Sequence, residues 1–295
     1  MDAIASAYAA EYLLEKRGLE GKAYRLGEYN KEVLFACKYF NLDLNMPLLQ
    51  RVEDGEEVGL LDHNEFSQSV DNIENAKIKL VIDHHKIDNF KTKEPLVYIA
   101  RPVGCNSTNL YEMLKEMGAI DRKDILAMLL SAIISDTLLL KSPTTTESDI
   151  KSAEEIAKIL NVDINEYGLS LLKAGADLSD VSDEGLINID SKLFEPNSLK
   201  IEIAQINAVD MDSILSRQIG IESAMNKAIN DKGLDAFLVA VTDVINCNSE
   251  IIALGSRIDI IEKAFNVNLH NNRAFLEGVV SRKKQPAPPI MDAAN

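Results

Sequence analysis

Two short apolar runs constrain the fold of this chain most strongly, because each breaks abruptly into polar residues. Val58–Leu61 is followed by Asp62–Asn64 (Asp-His-Asn), and Ile78–Ile82 is followed by Asp83–His85 (Asp-His-His). Apolar runs of this length and boundary are typical of buried parallel strands. In open parallel sheets, functional sites form beyond the carboxyl ends of the strands. We therefore expect both polar groups at one edge of a sheet.

The Asp-His-His triplet has the ligand types of a transition-metal site. Imidazole together with carboxylate suits Mn, Fe, Co or Zn better than the all-oxygen sites of Mg or Ca. Because adjacent strand residues point to opposite faces, we expect one histidine to bind metal while the other faces elsewhere. The triplet also occurs by chance, and an Asp-His pair is often only a hydrogen bond. The context favours a site, since three of the four histidines lie here: His63, His84 and His85.

Two further acids have both a structural and a functional interpretation. Asp136 interrupts the apolar run Ile125–Leu140, where a carboxylate is costly to bury unless it is paired or metal-bound. It could equally cap a local turn. Asp2 precedes the predicted helix Ala3–Lys16, and a position as helix N-cap explains it without any ligand role. The residues alone leave both interpretations open.

The pattern of apolar residues predicts an α/β protein of two domains. The first, residues 1–175, has a parallel sheet flanked by helices; a linker spans 176–182; a smaller mixed α/β domain spans 183–295. Predicted helices are Ala3–Lys16, Asn30–Phe40, Cys105–Met117, Arg122–Ser135, Ser148–Leu160, Ile164–Lys173, Asp212–Ile229 and Asp259–Phe265. Further predicted strands are Lys22–Gly27, Leu96–Ala100, Lys200–Ile206, Ala236–Val241, Glu250–Leu254 and Phe275–Ser281. We expect the proline-containing tail, Pro286–Asn295, to be loosely ordered.

Charge and cysteine content limit the partners. The net charge of −16 disfavours nucleic acid and anionic membranes. Three cysteines lie far apart, and no leader pattern opens the chain, so we expect reduced thiols in the cytoplasm. The basic cluster Arg282–Lys284 is either a solvated tail, which composition favours, or a local pocket for an anion.

Several segments together resemble the family II inorganic pyrophosphatases, manganese-dependent members of the Asp-His-His phosphoesterase superfamily. The resemblance covers essentially the whole chain. Its segments are Asp2–Ala7, Leu61–Glu65, Val81–His85, Pro102–Cys105, Ser131–Thr137, Lys141–Thr144, Lys173–Asp177 and Ser281–Gln285 (Ser-Arg-Lys-Lys-Gln). Asp-His-His is shared with nucleases and phosphodiesterases, whereas the last segment is far more specific.

The resemblance implies hydrolysis of pyrophosphate to two orthophosphates by a hydroxide that bridges two metal ions. The implied cofactor is Mn²⁺, with Mg²⁺ or Co²⁺ as alternatives, and a homodimer is expected. The implied metal ligands are Asp2, Asp62, His84 and Asp136, of which Asp62 and Asp136 bridge the two ions. His85 would contact a phosphate or the attacking water, and Lys192, Arg282 and Lys283 would hold phosphates. His63 and Asp83 are candidates for orienting the ligands.

The start of the sequence departs from the family pattern. That pattern, His-x-Asn-Pro-Asp-x-Asp, follows an apolar strand, whereas here Met1 directly precedes its last aspartate, Asp2. We therefore expect an N-terminally truncated first domain, with poor stability and little or no pyrophosphatase activity. A cooperatively unfolding chain with full activity would contradict this expectation.

Two alternative functions remain from the sequence. A related phosphodiesterase or exopolyphosphatase takes larger substrates, for which a chain without tryptophan offers few stacking groups. A non-catalytic homologue would keep the fold and lack the first metal site.

Overall fold

The computed structural model describes residues 1–87, 90–246, 248–279 and 285–294. The chain divides into two compact units, Met1–Gly175 and Ala176–Asn295. The predicted α/β class is confirmed, because the first unit contains a parallel sheet and the second a mixed sheet, both with helices. Within the described ranges, no helix has the length and apolar character needed to cross a membrane.

The first unit is built on a sheet of three parallel strands in the order β1-β2-β3. The strands are β1 (Glu57–Leu61), β2 (Lys77–Asp83) and β3 (Val97–Ala100). The helices are α1 (Asp2–Lys16), α2 (Lys31–Phe40), α3 (Asn106–Glu116), α4 (Lys123–Asp136), α5 (Glu147–Leu160) and α6 (Ile164–Gly175). Leu61 is in register with Ile82, and the Asp62 amide donates to the Ile82 carbonyl at 3.0 Å. The two polar groups predicted at strand ends therefore lie side by side.

Helix α4 forms the centre of the helical layer. Its residues Ile125–Ile134 are all buried, and the helix packs against α1, α2, α3, α5 and α6. A helix that is apolar on all sides is suited to such a position. It carries Asp136, its last residue, to the polar edge of the sheet.

The predicted strand Lys22–Gly27 is not formed. Arg25 makes an isolated parallel bridge with Leu48, and the neighbouring Pro47 has no N–H with which to extend a ladder. This segment, α1 and the edge strand β1 line a groove of about 760 Å³.

The second unit contains a five-stranded mixed sheet in the order β4-β5-β6-β7-β8. Its strands are β4 (Ser191–Phe194), β5 (Ile201–Ala208), β6 (Ala236–Asp243), β7 (Asn248–Gly255) and β8 (Arg273–Leu276). Its helices are α7 (Asp183–Leu186), α8 (Met211–Leu215), α9 (Gln218–Lys232), α10 (Ile258–Phe265) and α11 (Ala287–Ala293). Among the described residues of this unit, only β5 and β6 run parallel, and β6 is buried along its whole length.

Three predictions for this unit were wrong. The predicted helix Asp212–Ile229 is broken at Arg217, whose guanidinium donates to the Asp183 carboxylate and to loop carbonyls. The tail forms α11, because Ala287 and Ile290 bury their side chains and proline is tolerated in a first helical turn. The last strand begins at Arg273, earlier than predicted.

Strand β4 and helix α7 are absent from the predicted pattern. Each has only four residues. Such short elements show too little periodicity to be recognised from sequence.

Candidate metal centre

Side chains from separate parts of the first unit converge at the carboxyl edge of its sheet. They form two groups, and within each group the potential ligand atoms all lie within 4.8 Å of one another. The first group is Asp62, His84 and His85, and the second is Asp2, Cys105 and Asp136. His84 joins the groups, since its Nε2 lies 3.3 Å from Asp62 Oδ1 and 4.0 Å from Asp2 Oδ2. The structure therefore brings together Asp2, Asp62, His84, His85 and Asp136. We call these five residues the metal-centre cluster.

Asp2 does not cap its own helix, so the N-cap prediction was wrong. Met1 is the N-cap of α1 and makes no side-chain cap bond. The Asp2 carboxylate instead accepts from the amides of Asn106 and Ser107, at 2.5 and 2.9 Å, and from the Ser107 and Ser6 hydroxyls. It therefore caps α3, 104 residues further along the chain. Positive helix ends stabilise a carboxylate that is only 2% exposed.

Asp62 presents an oxygen that is buried without a hydrogen bond. Its φ of 64° is left-handed, a conformation that aspartate adopts more readily than most residues. Oδ1 has no hydrogen-bond partner among the described residues. Buried polar atoms are nearly always satisfied, and an unsatisfied one indicates an ion, a water or a catalytic role. This oxygen is thus suited to a metal ion.

The two histidine rings lie together, contrary to the predicted alternation. Strand β2 ends at Asp83, so the ring centroids of His84 and His85 come within 4.3 Å of each other. His84 Nδ1 lies 2.9 Å from the Val103 carbonyl, which only accepts. Nδ1 therefore carries a proton, and Nε2 faces Asp62, where a bound metal ion would take its lone pair.

Asp83 orients the other histidine. Its fully buried carboxylate accepts from His85 Nδ1 at 2.8 Å, from Asn64 Nδ2 at 2.6 Å and from two backbone amides. Burial raises the pKa of Asp83, but the hydrogen bonds from Asn64 and His85 outweigh it and the net shift is downward. His63 instead bonds the Leu61 carbonyl and the Ser69 hydroxyl, so it holds the local turn.

The titration behaviour of the cluster has a common cause. Burial, followed by the charges of Asp2 and Asp62, raises the pKa of Asp136 to about 8. Burial likewise raises the pKa of Asp62. Burial lowers the pKa of His84. Asp62 and the Val103 carbonyl outweigh this effect of burial and raise the pKa of His84 to about 9. A divalent cation would reverse this repulsion between carboxylates. Three carboxylates with imidazole fit manganese by ligand type.

The predicted phosphate-binding residues belong to the second unit. Lys192 lies on β4 with an exposed side chain, and its ammonium is 5.6 Å from the Phe194 ring centroid. Arg282 and Lys283 lie outside the described residues.

Sequence reasoning did not identify the polar residues that support the cluster. Asn106 Nδ2 donates to the Ser6 hydroxyl and the Ile82 carbonyl, and Ser107 holds Asp2. Both belong to a run of buried polar residues that opens α3 after Gly104. A polar run that opens a helix next to Pro-Val-Gly-Cys was the available signal.

Comparison with known proteins also finds two domains in the chain. The DHH family N-terminal domain matches residues 1–133, and the DHHA2 domain matches residues 169–293. These matches, with the fold and the carboxylate–histidine cluster, define a two-domain protein of the DHH type.

Individual relatives identify the family more narrowly than the two domain matches do. A protein from Oceanobacillus iheyensis named probable manganese-dependent inorganic pyrophosphatase is 53% identical over 96% of this chain and 92% of its own length. One of the same name from Streptococcus thermophilus is 48% identical over 100% of this chain and 95% of its own. The crystal structure of a Methanococcus jannaschii putative family II inorganic pyrophosphatase aligns with a TM-score of 0.62 at 37% identity, covering 100% of this chain and 96% of that one. The chain belongs to the manganese-dependent family II inorganic pyrophosphatases, as the resemblance predicted.

Proposed function

We propose that this protein hydrolyses inorganic pyrophosphate to two orthophosphates with manganese at the metal-centre cluster. The observation that carries the proposal is the unpartnered, buried Asp62 Oδ1 within a group of carboxylates and an oriented imidazole. Relatives about half identical over nearly the whole chain are named manganese-dependent inorganic pyrophosphatases.

The cluster residues take separate roles in the proposal. Asp2, Asp62, His84 and Asp136 would hold two manganese ions, with Asp62 and Asp136 shared between the ions and Asp2 and His84 belonging to one of them. When bound, manganese supplies Lewis-acid chemistry that activates water and polarises phosphate oxygens. Mg²⁺ or Co²⁺ are alternative ions. The hydrogen bonds of Asp2 to the start of α3 and of His84 to Val103 hold both ligands in place.

His85 is the proposed contact to substrate. Its side chain is 54% exposed, while Asp83 accepts the hydrogen bond from Nδ1. That contact fixes the ring and leaves Nε2 for a phosphate oxygen or for the water that attacks phosphorus. Asp83 thereby orients His85 without itself reaching the solvent.

The proposal divides the work between the domains. Residues 1–175 bind metal, 176–182 form a linker, and 183–295 bind phosphate through Lys192, Arg282 and Lys283. Arginine offers a planar fork for phosphate oxygens, and lysine offers a compact charge. A local group of cations is needed, because the net charge of −16 would otherwise repel the substrate.

We also propose a cytoplasmic homodimer that binds neither nucleic acid nor membrane. The net charge supports the last two statements. The other edge strand of the first sheet, β3, carries Val97 with 54% of its surface exposed, which supports pairing with a second copy. Light scattering of the purified chain tests this, and a monomer at micromolar concentration would contradict the homodimer.

The test of function is phosphate release from pyrophosphate by the full chain, with manganese or magnesium added after chelation. We expect release that depends on the metal and is fastest with manganese. Long-chain polyphosphate and a cyclic dinucleotide serve as comparison substrates. A folded, manganese-loaded chain that cleaves either of these faster than pyrophosphate would overturn the proposal.

A further inference from the structure

Asp149 is a fully buried carboxylate that is not part of the metal-centre cluster. It lies in the first turn of α5 and accepts four hydrogen bonds. The donors are the Gly104 amide (2.8 Å), the Thr108 hydroxyl (2.6 Å), and the amide and hydroxyl of Thr146 (both 2.7 Å). A buried carboxylate is costly unless it is satisfied in this way.

Helix capping explains only half of these bonds. Thr146 and Asp149 form a capping box at the start of α5. The bonds from Gly104 and Thr108 serve no cap on α5, since they come from the start of α3 and the loop before it. Asp149 therefore also holds the segment that follows β3.

Besides its bonds to Asp2, that segment contacts the metal-centre cluster through the peptide unit between Val103 and Gly104. The Gly104 N–H and the Val103 carbonyl belong to the same planar peptide, so fixing one group fixes the direction of the other. The Val103 carbonyl accepts from His84 Nδ1 at 2.9 Å. Asp149 and His84 thus hydrogen-bond opposite edges of one peptide group.

The close approach at Gly104 leaves this peptide little freedom. A Cβ added there would lie 2.8 Å from Asp149 Oδ2, 3.0 Å from Thr137 Cγ2 and 3.1 Å from the Thr144 carbonyl. Contacts this short force the surroundings to shift. The glycine allows the carboxylate to reach the backbone directly.

We propose that Asp149 is a positioning residue for the metal centre: it orients the Val103–Gly104 peptide, which in turn directs His84 Nε2 at Asp62. This inference rests on the proposed function of the cluster as a metal site. Asp149 itself touches neither metal nor substrate. A group that hydrogen-bonds a metal ligand directly, as the Val103 carbonyl bonds His84, contributes about 10–100-fold to metal affinity.

Four variants separate positioning from capping. Asp149→Ala removes all four bonds, whereas Asp149→Asn can still accept from Gly104 and donate its amide to the Thr108 hydroxyl. Thr146→Ala removes the capping partner but leaves the Gly104 contact. Gly104→Ala pushes the loop from the carboxylate while the capping box stays.

Manganese affinity of each folded variant is measured by titration well below its unfolding temperature, together with the ¹⁵N shifts of the metal-free His84 ring. We expect Asp149→Ala and Gly104→Ala to weaken manganese binding by at least about tenfold and to change the ¹⁵N shifts of the His84 ring. Asp149→Asn and Thr146→Ala should stay within about threefold of the unaltered chain.

Equal losses of manganese affinity in Thr146→Ala and Asp149→Ala would overturn the inference. Unchanged ¹⁵N shifts of the His84 ring in Asp149→Ala would overturn it as well. If Asp149→Ala and Gly104→Ala do not fold, hydrogen exchange of the Gly104 amide in the unaltered chain tests the inference instead. An unprotected Gly104 N–H contradicts the proposal, and a protected one supports it. An unaltered chain that binds no manganese would refute the proposed function itself, whereas normal binding in all folded variants refutes only the role of Asp149.

Discussion

Helices α1 and α4 pack against each other, and the aspartates at the two ends of this helix pair are in opposite electrostatic states. At one end, Asp2 and Asp136 share a buried space with Asp62, and burial with this repulsion raises the pKa of Asp136 to about 8. At the other end, Arg122 makes two hydrogen bonds to Asp124, and its guanidinium lowers the pKa of that carboxyl to about 2.

The difference separates an aspartate that serves the fold from the three aspartates that we propose to bind metal. The hydroxyl of Tyr8 donates to Asp124 at 2.7 Å, so that carboxylate is satisfied within the protein. No lysine or arginine side chain is ion-paired with Asp2, Asp62 or Asp136 in the described part of the chain. Charge that the protein leaves uncompensated is charge that a cation can bind, and perturbed carboxylates of this kind cluster at functional sites.

The largest effect is expected from Asp136→Asn. The change keeps the shape of the side chain but removes a proposed bridging ligand, so manganese-dependent phosphate release should fall by at least about 100-fold, the upper range for partners behind a ligand. Initial rates of phosphate release measure it. Asp124→Asn, at the other end of the same helix, is the matched control and should keep its rate. Loss in both variants would mean a structural defect, and more than a tenth of the rate in Asp136→Asn would contradict the bridging role.

The next effect is stabilisation by the metal. A ligand that binds only the folded state at a hundredfold excess over its Kd adds about 2.7 kcal/mol to the free energy of unfolding. We expect this increase on adding manganese, measured by urea unfolding, and its reversal by chelation. Asp124→Asn should respond equally and Asp136→Asn much less. An equal response in both would place the metal elsewhere.

A smaller effect is expected from Asp124→Asn on stability itself. Loss of the Arg122 and Tyr8 contacts should lower the free energy of unfolding by about 1 kcal/mol, because the pair is partly exposed to solvent. Urea unfolding of the metal-free chain measures the loss, with manganese affinity determined alongside. A weakened affinity would show that the two ends of the helix pair are not independent.

The smallest effect is the pH dependence of the difference in unfolding free energy between the unaltered chain and Asp124→Asn. The pKa of Asp124 is lowered from an ordinary value of 3.8 to about 2 in the folded chain, mainly by Arg122. The folded state then binds the proton less well than the unfolded state, so this stabilisation is fully present above about pH 4 and disappears as pH falls towards 2. Unfolding of the unaltered chain and Asp124→Asn at pH 7, 5, 4 and 3 should show converging stabilities. A constant difference would exclude the ion pair as its source.

Local sequence patterns predicted most of the regular elements of the first unit, for a physical reason. The buried strands β1 and β2 and the long helices α4 and α5 each contain enough apolar residues to specify their own period and their own ends. Segment 22–27 failed because a strand also needs a partner, and its partner contains Pro47.

The chemistry available to this protein is already present in its local sequence. It placed Asp62 and the Asp83–His85 triplet after two buried strands, and parallel pairing then has to bring them to one edge. Carboxylate and imidazole at that edge already favour a transition metal.

How those groups are held depends on contacts between distant parts of the chain. Asp2 caps a helix that begins 104 residues later, both histidine rings turn to the same side, and Asp149 reaches His84 through a peptide 45 residues away in sequence. Contacts of this kind join residues whose spacing along the chain carries no periodic signal, and they arise only when packed helices bring distant backbone groups within hydrogen-bonding distance.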